Sequence, residues 1–175
     1  MSKKSTILFI LLFAVGGLLQ GCGNTSAHTL SSDLLYTEKI LPTNFYSMSE
    51  QGVLVYKVTN QSDFDELWKH FRLTNDPTNI DWNEQTAIFL GIIESSSCPL
   101  QFKTAQLNDQ KTEVMVYLDG TSGKACTDDA TPRTMVIAMD AVEMDNVSVL
   151  KIEDYFGINP IVEFHNMTVS NEDIY

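Results

Sequence analysis

The sequence predicts an α+β fold: a largely antiparallel β-sheet carrying one short amphipathic helix, with a small β-barrel or sandwich as the alternative arrangement of the same strands. Three observations predict it. A single stretch, residues 62–71, has large apolar side chains at helical spacing. A nearly continuous apolar run, residues 86–93, has the length and character of a strand buried on both faces. Beyond it, two segments alternate apolar and polar residues across a turn, the pattern of a half-buried hairpin. About 140 residues follow the N-terminal region, enough for one β-rich domain over residues 33–175 with a sizeable core.

In chain order, Val53 to Val58 reads as the first strand. The helix follows: Phe64, Leu67, Trp68 and Phe71 fall at i, i+3, i+4 and i+7. Ser62 is the expected N-cap, with Asp65 completing a capping box and Asp63 near the positive end of the dipole. Asp65 with Lys69 and Glu66 with His70 are spaced to pair on the wet face. Asn75-Asp76-Pro77 stops the helix. After the 86–93 strand, Leu100, Phe102 and Thr104 alternate with polar neighbours. Across the Asn108-Asp109 turn Val114, Val116 and Leu118 alternate with Met115 and Tyr117. Residues 134–139, 147–152 and 161–164 supply three further strands.

Three cysteines are present, and Cys98 and Cys126 are expected to join outside the cytoplasm. Closing a loop of that length stabilises the fold by roughly 3.6 kcal/mol on the chain-entropy estimate. The pair lacks the C-x-x-C spacing of a redox site. Asp119, Asp128 and Asp129 flank the Gly-rich loop and are weak candidates for a calcium site, although their spacing departs from the calcium-loop pattern. Neither H-E-x-x-H nor G-x-S-x-G occurs. His28, His70 and His165 are far apart in sequence and are expected at the surface, so no catalytic residue and no cofactor is assigned. The aromatic group Tyr36, Phe45 and Tyr46, in a segment broken by Pro42, is expected either to dock on the core or to face a partner. Ser96, Ser97, Pro99 and Lys124, beside the two cysteines, complete the candidate partner surface.

The N-terminus has its own logic. Lys3 and Lys4 precede an apolar run too short to span roughly 30 Å of hydrocarbon, the layout of a secretory signal peptide over residues 1–21. Leu19-Gln20-Gly21-Cys22 resembles the bacterial lipobox. That resemblance implies a diacylglyceryl group on the Cys22 sulfur, with Cys22 first in the mature chain and the protein held on the outer face of the cell membrane. Two acyl chains, at about 0.8 kcal/mol per buried CH₂, anchor stably. Residues 23–32 read as a polar tether spanning about 17 Å. The full chain has 11 basic and 23 acidic side chains. Losing Lys3 and Lys4 leaves 9 − 23 = −14, a surface that repels nucleic acid and anionic headgroups.

From the helix bearing Trp68, through Asp81-Trp82 and Thr86-Ala-Ile-Phe-Leu-Gly91, to the hairpin and Pro132, the chain resembles the PrcB-like family of protease-complex-stabilising lipoproteins over roughly residues 64–140. Ser96-Ser97-Cys98-Pro99 stands where that family tends to have a Gly-Gly turn. The resemblance implies a non-enzymatic accessory that binds an exported protein, a protease among the candidates, and stabilises or restrains it. A small-ligand or calcium-binding lipoprotein, and a hydrolase, are the competing readings.

Overall fold

The computed structural model describes residues 28–120 and 125–165. Among these residues nine strands and two helices follow one another as β1 (His28–Leu30), β2 (Ser32–Glu38), α1 (Phe45–Met48), β3 (Val53–Val58), α2 (Gln61–His70), β4 (Gln85–Glu94), β5 (Gln101–Leu107), β6 (Glu113–Asp119), β7 (Thr131–Asp140), β8 (Val149–Glu153) and β9 (Ile161–Glu163). They form a five-stranded sheet, β1-β5-β6-β8-β9, and a four-stranded sheet, β2-β7-β4-β3. The fold is α+β as predicted. Within it the two sheets lie face to face as a sandwich, each with two edge strands, so neither closes into a barrel; the β3 edge is met by a single bridge between Tyr56 and His165. Every strand pair is antiparallel except β6 with β8. Between those two, β7 crosses into the other sheet, and the chain therefore returns in the same direction.

The 86–93 run is a strand buried on both sides, for the reason its composition suggests. Successive side chains point to opposite faces. Ile88, Leu90 and Ile92 enter the aliphatic core between the sheets, with Val53, Val55, Met135 and Ile137. Ala87 and Phe89 face the other way, against Phe64, Leu67, Trp68 and Phe71 of the helix side. Each large side chain taken fully out of water stabilises by about 1.5–3 kcal/mol. The 100–104 and 114–118 segments do form the expected hairpin, β5 with β6.

Three features differ from the sequence reading. Helix α2 starts earlier than residue 62: Asn60, not Ser62, is the N-cap, accepting from the Asp63 amide at 3.0 Å while its own amide group donates to the Asp63 carboxylate. Asn60 has the extended backbone that a cap requires, and Asn caps as well as Ser does. Asp65 accepts from Gln61, one turn earlier, at 2.7 Å. Finally, His28–Leu30 pairs with β5 and Ser32 begins a strand paired with β7, so these residues of the expected tether belong to the sheets. Cys22 and the rest of the tether lie outside the described residues.

Candidate functional site

The strand directions give the sandwich two distinct ends. At the near end the chain comes in at His28, beside the 108–112 turn and the 141–148 loop; His28 and Lys111 both reach the Glu143 carboxylate, at 2.8 and 3.3 Å. At the far end β4 runs out at Glu94, β5 begins at Gln101 and β7 begins at Thr131. The 95–100 and 125–130 segments therefore meet there. Cys98 and Cys126 lie at disulfide distance, with Cα atoms 5.7 Å apart.

Two further devices fix this end, and sequence reasoning found neither. Glu94, its side chain fully out of solvent, receives a forked ion pair from Arg133 at 2.6 and 3.1 Å and a hydrogen bond from the Leu100 amide at 2.8 Å. Together they tie the end of β4 to β7 and to Leu100, the residue just before β5. Asp129 is the second. Its carboxylate accepts from the Thr127 and Thr131 hydroxyls and from the Ser96 amide. These donors, Thr127 first and Thr131 next, hold the Asp129 carboxyl far below the usual carboxylate range against the opposing effect of desolvation. Ser97 joins the same knot by donating from, and accepting at, its hydroxyl toward Thr127. Gly120 closes the region: a Cβ there would stand 2.6 Å from the Pro99 carbonyl oxygen, and its φ of +144° favours glycine.

The expected calcium ligands are not brought together. Asp119 and Asp128 are exposed and stay out of the Asp129 knot, and among the described residues no three His, Cys, Asp or Glu side chains converge as a metal site would need. Hydroxyl and amide donors already use the Asp129 oxygens. Of the candidate partner surface, Ser96, Ser97 and Pro99 are exposed on the disulfide loop, whereas Lys124 lies outside the described residues. The aromatic group divides. Phe45 is 2% exposed and sits in the helix-side core, so it is no surface residue. Tyr36 is half-buried, its ring 5.0 Å from that of Trp68. Tyr46 alone faces out, at 78% exposure.

The histidines are placed differently from the expectation. His28 is exposed as expected, but His70 and His165 both lie against Tyr56, with ring centroids 6.2 and 5.4 Å from it. Tyr56 is buried, and that burial raises its hydroxyl pKa, which keeps the proton on rather than readying a nucleophile.

Beside Tyr46 lies a cleft of about 340 Å³. Leu41 and Phe45 form its floor because Gly91 lets them sit directly on β4: a Cβ on Gly91 would come 2.9 Å from the Leu41 Cδ2 and 3.6 Å from the Phe45 ring. Thr134 holds the next segment by donating its hydroxyl to the Ile40 carbonyl at 2.5 Å. Lys39 and Arg72 stand on the rim. Glu38 brings them together: burial pushes its carboxyl up, but hydrogen bonds from the Thr74 amide, the Tyr36 hydroxyl and the Thr74 hydroxyl outweigh this and leave it below its usual value. Comparison of the chain with known protein families, with curated proteins and with solved structures gives no match.

Proposed function

We propose that this protein is a membrane-anchored extracytoplasmic lipoprotein whose domain binds an exported protein partner and does no chemistry on it. The observation that carries this reading is the division of labour between the two ends. The chain comes in at His28, six residues after Cys22, a reach of at most about 20 Å. The opposite end bears the crosslinked loops with exposed Ser96, Ser97 and Pro99. It also bears Phe156 and Ile158, about half exposed on the tight turn after β8, where Phe156 itself has a φ of +50°. Large apolar side chains held on a rigid rim are what a protein partner buries. Lipid on Cys22 would put that rim away from the bilayer.

An exported protease as the partner is the finer form of the reading, and it rests on the PrcB-like resemblance of residues 64–140 alone. The test is crosslinking of the native protein in its own membranes, followed by identification of the captured chains and the mass of the N-terminal peptide. Expected are a diacylated Cys22 and an exported protein crosslinked through residues 95–99 or 154–158. An unacylated Cys22 in membrane fractions, or no exported chain captured from folded protein, overturns the proposal.

A further inference from the structure

The helix-side cleft has a feature that the fold does not require. Helix α2 ends in the hydrogen-bond pattern of a Schellman motif, with the Leu73 amide donating to the Trp68 carbonyl at 3.1 Å and the Arg72 amide to the Lys69 carbonyl at 2.9 Å. The residue at the left-handed position of that motif is glycine in most proteins, because a Cβ there crowds the backbone. Here it is Arg72, with a φ of +58°. Gln51, Lys111, Asp154 and Phe156 also have positive φ, but Arg72 is the one that ends a helix beside a cleft, and strain there points to a use for its side chain. Arg72 is exposed, and what it reaches is the cleft rim, where it stands with Lys39.

Charge sharpens the point. The chain has 23 acidic side chains against 11 basic ones, yet the charged residues lining this cleft are these two cations, and neither is engaged in the ion pairs of the described residues. Beneath them the floor is apolar, formed by Ile40, Leu41 and Phe45, with Tyr46 as an exposed wall. The occupant that answers this has an apolar side chain and a carboxylate within reach of both cations. The volume is near the lower end of the roughly 300–1,000 Å³ of ligand pockets, which suits one or two residues rather than a long segment.

We infer that this cleft binds the C-terminal end of a partner polypeptide, with an aliphatic or aromatic last residue on the Leu41–Phe45 floor and the α-carboxylate between Lys39 and Arg72. The inference deepens the proposed function, since it rests on the reading that the domain meets a protein partner. It gives that partner a recognisable chemistry.

The test uses the full-length chain in phosphatidylcholine vesicles, with fluorescence anisotropy of a labelled tetrapeptide ending in phenylalanine. The peptide with a free carboxylate is expected to bind at least about tenfold more tightly than its C-terminal amide, a difference of one charge-assisted contact. Arg72→Gly is the discriminating variant. It relieves the left-handed strain, so its Tm is expected to rise by about 3 °C while the preference for the free carboxylate disappears. A merely structural arginine would give the rise in Tm and leave binding unchanged. Equal binding of acid and amide, no binding of either, or full binding by R72G overturns the inference. So does saturable binding of a fluorescently labelled decanoate with no binding of the peptide, which would assign the cleft to a fatty acid. If the native protein still captures an exported chain while any of these holds, the cleft fails and the proposed function stands. Carboxylate-dependent peptide binding with no chain captured in the membrane overturns the proposed function and leaves the cleft.

Discussion

At the near end of the sandwich, His28 and Lys111 share Glu143 with more than half of each of the two side chains in water. At the far end Arg133 forks onto a Glu94 carboxylate that has lost contact with solvent altogether. The chemical partners are alike and the physics is not. In water an ion pair gains little Coulomb energy and gives up side-chain freedom, so its net contribution is about 0–1 kcal/mol. Out of water, an unpaired charge is so unfavourable that each partner makes the other indispensable. Add the crosslink and the Asp129 knot, and the far end becomes the part of the molecule whose loops keep one arrangement. The near end is held otherwise: half-buried Lys57 donates to the Met144 and Val147 carbonyls of the 141–148 loop, while the ion pairs on Glu143 stay largely in water.

The largest effect that would break this contrast is loss of one partner of the buried pair. Arg133→Met is expected to lower the unfolding free energy by about 3–5 kcal/mol in urea melts, since it strands the Glu94 carboxylate. A loss under 1 kcal/mol would mean that water reaches Glu94 and that the two ends do not differ. Next comes the crosslink. The double variant C98S/C126S is expected to lose roughly 3.6 kcal/mol, with amide exchange quickening first over residues 95–100 and 125–130. Exchange that quickens uniformly would show the staple to be global rather than local. The smallest effect belongs to the near end. Glu143→Gln should cost no more than about 1 kcal/mol and should cost nothing in high salt, where exposed pairs are screened.

Much of the fold could be read from the chain because periodicity and burial coincide there. β4 is visible as an unbroken apolar run since both its faces are covered, and the β5–β6 hairpin alternates because one face of its sheet meets water. β1 and β2 were not legible. Both are edge strands, most of their residues are exposed or half-buried, and Thr29, Ser31, Ser32 and Asp33 resemble a linker until β5 and β7 supply the pairing. The site was legible in part. Cys98 and Cys126 announced themselves by number, and Tyr46 by being aromatic in a polar segment. Glu94 and Arg133, 39 residues apart, gave no signal, and neither did Asp129 as a loop clip rather than a calcium ligand. Arg72 carried the weakest trace of all: a helix ending with no glycine to end it.

By itself, then, the sequence determined the class of the fold, the helix with its apolar stripe, the buried central strand and the pairing of the two cysteines. Each of these depends on residues close in the chain, or, for the cysteines, on a count of three that leaves few pairings. Only the tertiary structure decided that the two sheets stack, that His28 and the crosslinked loops stand at opposite ends, and that Lys39 and Arg72 share one apolar cleft. These depend on contacts between segments distant in the chain. Such contacts arise when strands settle into register, and no local pattern of side chains encodes which loops will then be neighbours.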